Sequence, residues 1–312
     1  MKRLCPVLLV LLLLPFSEAG AEESSPTQPS SQIQNAGKNC LGQGRPRATM
    51  SHLLGFKYGP IGMEHRLRIG VCRPVFSKPG LLFERSFFEA GFQQHTSPVY
   101  AMPGGYMNFA PLSFLVFSFE AAPVFYWPIG MKGAGYYPLD GYQADYLPDD
   151  LPAKDGGSAL GWYLRGGVTL QFAGDLGPIR LIFIDSVQVE RWSVGPAEHY
   201  FLNRNDLPAA NPEGFVDNSA ILLVEVPVHP NARLRIGATD QLTANFGAGQ
   251  VSNVLGGVVM VNFDRMGDRI RDFTPIVRLG VRTHHPMRQG DFNIILALAF
   301  SVDLSREVEA RN

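Results

Sequence analysis

The property that most restricts this chain is an apolar period of two, repeated over long stretches. Between 160 and 172, Trp162, Leu164, Val168, Leu170 and Phe172 alternate with Tyr163, Arg165, Thr169 and Gln171. Between 232 and 246, Leu234, Ile236, Ala238, Leu242 and Phe246 alternate with Arg233, Arg235, Thr239, Gln241, Thr243 and Asn245. The run 292–304 puts Phe292, Ile294, Leu296, Leu298, Phe300, Val302 and Leu304 on one side, and 65–71 and 275–283 follow the same rule. Successive side chains of an extended strand point to opposite faces, so each run has one greasy and one wet face. After residue 48 no segment shows the apolar spacing of an amphipathic helix, and the fold class is all-β. One run breaks its own pattern: 179–192 sets Asp185 in phase with Leu181, Phe183, Val187 and Val189. The stretch 111–130 is apolar enough to suggest a spanning helix. Its Pro111, Glu120, Pro123 and Pro128, among many Phe and Val, instead read as a strand pair.

Two environments accept such strands. A soluble sandwich shares its greasy faces in a core, whereas a membrane barrel gives them to lipid and keeps the wet faces for its lumen. The long runs suit the roughly 9–11 residues that a tilted strand needs to cross a bilayer. Tyr126, Trp127, Trp162 and Trp192 fall at strand ends, where an interfacial girdle belongs, with Tyr136, Tyr137, Tyr142 and Tyr146 close by. Tight links at 77–80, 173–178, 229–232 and 265–272 alternate with looser ones at 95–107, 128–158, 193–218, 247–252 and 284–290. With a first strand at 49–58 and a turn at 120–123, the count closes at about twelve strands, ten being the alternative. Both ends of the barrel domain then fall on the short-turn side. The expected fold is a single closed antiparallel transmembrane barrel; a secreted or periplasmic β-sandwich binding protein is the alternative.

The N-terminus agrees with export. Lys2 and Arg3 precede the apolar run 6–16, and Ala19-Gly20-Ala21 offers a cleavage site, which together make 1–21 a secretory signal peptide. Residues 22–48, rich in Ser, Pro, Gln and Gly, read as a disordered leader, 49–304 as the barrel and 305–312 as a polar tail. Losing Lys2, Arg3 and Glu18 with the signal takes the formal charge from −1 to −2, which gives no basic excess for nucleic acid. Cys40 and Cys72 remain; they can pair, or stand as two incidental thiols.

On these features residues 49–304 resemble the outer-membrane β-barrels of Gram-negative bacteria as a class. The resemblance implies a bacterial outer-membrane location, contact with outer-membrane lipids and lipopolysaccharide, and delivery by the barrel-assembly machinery. In that class an aromatic residue ends the chain; here the closing strand reaches Phe300 and "SVDLSREVEARN" continues beyond it.

The inward phase collects Arg66, Arg68, Arg165, Arg233, Arg235, Arg278 and Arg282, with Glu120 and Glu225. Such a set serves either as a charged pore constriction or as a hydrogen-bonded filling for a narrow lumen. The role expected is passive: a porin-like channel or a structural barrel, with no cofactor and no metal. The loop 136–157 carries Asp140, Asp145, Asp149, Asp150 and Asp155 without calcium-loop spacing and reads as a solvated surface loop. An enzymatic alternative lies in 94–109. His95 and Ser97 share a strand face, and Asn108 follows across a link, similar to the His-x-Ser pair and later Asn of outer-membrane phospholipases and lipid A deacylases. That resemblance implies a serine esterase acting on lipids.

Overall fold

A sheet of long strands escapes having unpaired edges only by closing on itself. The computed structural model describes residues 46–59, 61–76, 82–83, 85–143, 147, 151–266 and 270–304. Its strands are β1 (Arg47–Tyr58), β2 (Gly62–Pro74), β3 (Phe87–Thr96), β4 (Tyr100–Leu112), β5 (Leu115–Tyr126), β6 (Pro138–Leu139), β7 (Ala159–Leu176) and β8 (Ile179–Val194). They continue as β9 (His199–Leu202), β10 (Leu207–Ala210), β11 (Glu213–His229), β12 (Ala232–Asn245), β13 (Val251–Met266), β14 (Ile270–His284) and β15 (Phe292–Asp303). Twelve of them close into a barrel in the order β1-β15-β14-β13-β12-β11-β8-β7-β5-β4-β3-β2. The seam is an ordinary antiparallel pair of β1 and β15, with Leu54 opposite Leu298. The three short strands form their own sheet, ordered β10-β9-β6. A two-sheet sandwich is thereby excluded.

Burial follows the alternation. On β15, Asn293 is 2 % exposed and faces inward, while Phe292, 71 % exposed, faces out. Phe117, Phe119, Leu164, Val259, Leu279 and Leu296 belong to the same exposed outer band. Water does not tolerate an apolar belt around a closed barrel, but a bilayer requires one. The barrel therefore spans a membrane with its strands. Among the described residues no helix is long and apolar enough to do so.

Two polar clusters interrupt the outer face. The β7–β8–β11 register runs through Asp185 without a shift, so Asp185 points toward lipid, as the sequence phase requires. Asn218 on β11 donates its side-chain amide to Asp185 at 2.7 Å, which satisfies both groups away from water. His52 and His65 hydrogen-bond at 3.1 Å, and His52 stacks on Phe300 with ring centroids 4.6 Å apart.

Several expected boundaries move. Residues 120–123 are not a turn but the middle of β5; the tight link is Ser113-Phe114, so 111–130 holds the end of β4 and one full strand. Glu120 and Pro123 mislead because one faces the lumen and the other the outside, where neither interrupts the strand. The expected loose link 95–107 shrinks to residues 97–99, since the small and apolar residues after Tyr100 alternate well enough to extend β4. β1 begins at Arg47, inside the expected leader. Cys72 faces inward at the end of β2 and is disulfide-bonded, so it is not an incidental thiol. The signal peptide, Cys40 and the tail 305–312 lie outside the described residues.

Candidate functional site

The barrel interior divides into two halves. The terminal end carries the N-terminus of β1 and the C-terminus of β15; the loop end carries the long links 127–158 and 195–212. Between them runs a belt of charges supplied by the inward phase of consecutive strands. Arg68 on β2 pairs with Glu120 on β5. Arg165 on β7 lies 3.6 Å from Glu120 and 3.4 Å from Glu190 on β8. His95, fully buried at the end of β3, sits between two carboxylates, with Nδ1 3.0 Å from Glu64 and Nε2 3.8 Å from Glu120. Tyr100 donates its hydroxyl to Glu64, and Tyr163 donates to Glu120 at 3.2 Å. Each of these charges has an opposite neighbour, which is the condition under which buried ions persist.

One member of the belt does not come from the wall. Arg204 stands in the turn joining β9 to β10, and that hairpin is folded into the loop-end mouth. Its Nε lies 3.9 Å from Glu64, and its guanidinium stands 5.4 Å from the centroid of Tyr163 and 5.8 Å from that of Trp192. Tyr200, Leu202, Leu207 and Ala209 of the hairpin pack on Tyr163, Trp192, Val194 and Phe215 of the wall in one buried cluster. The outer edge of the hairpin is not left free, because β9 pairs with β6 of the long link.

A latch holds the hairpin from the opposite wall. Asp206, 1 % exposed and with a positive φ of 56°, turns its carboxylate to Arg282 of β14 at 2.7 Å. That contact is an ion pair whose angle falls short of a hydrogen bond. Arg288 lies 3.5 Å away on the next link. His285 completes the arrangement: its Nδ1 accepts from the backbone N–H of Met287 (3.1 Å) and of Arg288 (3.0 Å). The ring proton is then on Nε2, which donates to the carbonyl of Asp206 at 3.0 Å. Burial is the main cause that holds the His285 pKa below its usual value, so the ring is neutral at pH 7.

The terminal-end half contains a cavity of 490 Å³. Arg66, Arg68, Arg165 and Glu120 line one side of it. Across from them Ile182, Ile184, Ile221, Leu223 and Met260 line it beside Arg235, and Val258 packs with them in one buried cluster. Gly237 on the intervening β12 makes this wall continuous. A Cβ there would sit 1.8 Å from the Leu222 carbonyl oxygen, so only glycine allows β11 and β12 to approach this closely.

The arginines read from the sequence all stand on inward positions but do not form one ring. Arg66, Arg68, Arg165 and Arg235 line the cavity. Arg235 donates to Glu225 at 2.6 Å, and Arg233 pairs with Asp264 at 3.1 Å. Arg278 donates to Gln241 at 2.7 Å, and Arg282 belongs to the latch. The girdle needs correction. Trp162 faces outward and Trp127 is half-exposed, but Tyr126 and Trp192 are buried inside. They share the inward phase of Glu120 and Glu190, so position near a strand end says nothing about face.

The esterase arrangement is not assembled. His95 pairs with Met102 across the β3–β4 hairpin, whereas Asn108 pairs with Glu89, six residues further along, about 20 Å away at ~3.3 Å per residue. Asn108 donates to Glu89 at 3.3 Å, and the Ser97 hydroxyl accepts from the N–H of Val99 at 3.2 Å. Both nitrogens of His95 face carboxylates, and the whole group lies in the lumen rather than on the lipid side. Glu64 and Glu190 were legible as inward residues two positions from Arg66 and Trp192. Arg204 and Asp206 carried no signal, because nothing in "FLNRND" says that its turn points into a barrel.

No family model and no curated protein matches the chain. Solved structures similar to it are barrels. The β domain of the Bordetella autotransporter BrkA is 10 % identical with a TM-score of 0.44, covering 82 % of this chain and 98 % of that one. An outer membrane channel from Pseudomonas putida F1 is 11 % identical (TM-score 0.40; 88 % and 100 % covered). LpxR from Salmonella typhimurium is 10 % identical (TM-score 0.37; 83 % and 99 % covered).

Proposed function

We propose that the protein is a bacterial outer-membrane barrel of the passive, porin-like kind, held shut at rest by its own β9–β10 hairpin. The observation that carries this reading is the seating of that hairpin in the loop-end mouth, with Arg204 against Glu64 and Asp206 against Arg282. A ring of wall arginines alone would suit an open selective pore. An inserted hairpin with charge partners on two sides of the wall suits a plug that can leave without unfolding the barrel. The paired belt beneath it then acts as the selective constriction when the plug is out. The lipid band and the exported N-terminus read from the sequence support the location.

Reconstitution in planar bilayers tests the reading. The unmodified barrel is expected to give low conductance with rare openings, and R204E, which turns the attraction to Glu64 into repulsion, to give frequent openings of one size. Arg66→Glu in the R204E background should shift the open state toward cations. A wild-type barrel that conducts steadily and is unaltered by R204E contradicts the plug.

A further inference from the structure

The cavity in the terminal-end half presents two walls that water satisfies poorly together. Ile182, Ile184, Ile221, Leu223 and Met260 turn into a cavity that also holds charged groups, and apolar side chains facing water forgo their burial energy. Across the barrel, four to six strands away in the closed order, β2 brings Arg66 to the same cavity. Arg66 makes no hydrogen bond or ion pair among the described residues, unlike Arg68, which holds Glu120. The Nε of Arg68 is buried without a hydrogen-bond partner, whereas that of Arg165 is held in the ion pair with Glu190. Donors therefore stand unused on one side and greasy surface on the other.

We infer that this cavity binds a single-chain amphiphile with an anionic head: the head on Arg66, with the free donor of Arg68 behind it, and the chain along the Ile182–Leu223–Met260 wall. At about 30 Å³ for each water-sized unit, 490 Å³ holds roughly 16 of them, enough for one acyl chain and a small head but not for a two-chain lipid. The volume also lies within the ~300–1,000 Å³ of small-molecule sites. Gly237 keeps the wall closed behind the chain, and the charge belt caps the cavity toward the plug. The inference rests on the cavity alone and goes beyond channel activity: a barrel that never conducts can still hold this ligand.

Native mass spectrometry of the full chain, released from an uncharged detergent, tests it with four probes. Hexadecanoate is expected to bind as one copy per barrel. Hexadecyltrimethylammonium, with the same chain and the opposite charge, should bind about tenfold more weakly, as loss of a charged hydrogen bond implies. Hexanoate should not be retained. Hexadecyl phosphate separates a phospholipid-derived head from a fatty acid, and tight binding of either anion supports the site. Arg66→Gln should weaken hexadecanoate by a similar factor while leaving the barrel folded by circular dichroism. Retention of neither anion, equal retention of both head-group charges, or several copies per barrel overturns the proposal.

Discussion

The two halves of the lumen are walled by the same strands and built on the same alternation, yet one is packed and the other hollow. In the loop-end half, Tyr163, Trp192 and Phe215 are fully buried because a hairpin from the 195–212 link fills the space between them. In the terminal-end half, the links 113–114, 177–178 and 230–231 have two residues each, no segment among the described residues reaches inward, and 490 Å³ stays open. A wide barrel cannot fill itself with wall side chains alone. What closes it is the length of its loops, so the short-turn end keeps a cavity and the long-loop end acquires a plug.

The largest effect is expected where the packed half depends on one ion pair. Arg282→Ala leaves the carboxylate of Asp206 buried with Arg288, His285 and Lys57 near it. Removing one partner of a buried pair typically costs ~3–5 kcal/mol, and the remaining neighbours put this case at the low end. Protease nicking of the hairpin at Arg204, absent in the parent, reads that loss; if the hairpin stays protected, the latch is not what holds it. A smaller effect belongs to the hollow half. Gly237→Val places atoms against the Leu222 carbonyl and must push β11 and β12 apart, at ~1–3 kcal/mol, so the urea midpoint should fall while the hairpin stays protected. A midpoint equal to the parent's would show that the wall is looser than described.

The smallest expected effect is that of pH. The folded state resists protonation of His285, since Nδ1 already accepts two N–H groups and burial disfavours the cation. Above the usual imidazole value of ~6.5 the ring is neutral whether the chain is folded or not, and stability does not change. As pH falls below that value the unfolded form takes the proton first, and the latch weakens. Channel openings should become modestly more frequent at pH 5 than at pH 7.5, and H285N should remove the dependence. An opposite trend would mean that the attraction between Asp206 and the imidazolium outweighs the burial.

The barrel was legible because period-two alternation is a property of each strand by itself, although the count of twelve leaned on a turn at 120–123 where the structure has the middle of β5. Lumen positions such as Arg66 and Glu120 come with that phase. Faces near strand ends were misread where residue type overrode phase: Trp192 looked like a girdle residue, although its neighbours Arg191 and Ser193 occupy the outward face. The plug was not legible at all. Residues 200–209 are short apolar pieces around a polar turn, and their position depends on a fit to walls contributed by Tyr163, Trp192 and Arg282 from distant strands. Tertiary docking of a loop leaves no periodic trace.

Sided labelling tests the contrast between the halves most directly. Ser118→Cys puts a thiol in the cavity wall, and a membrane-impermeant charged maleimide can be added to oriented proteoliposomes from either face. The plugged-barrel account predicts rapid labelling from the terminal-end side and protection from the loop-end side. Equal labelling from both sides would mean that the mouth is open at rest and the hairpin closes nothing.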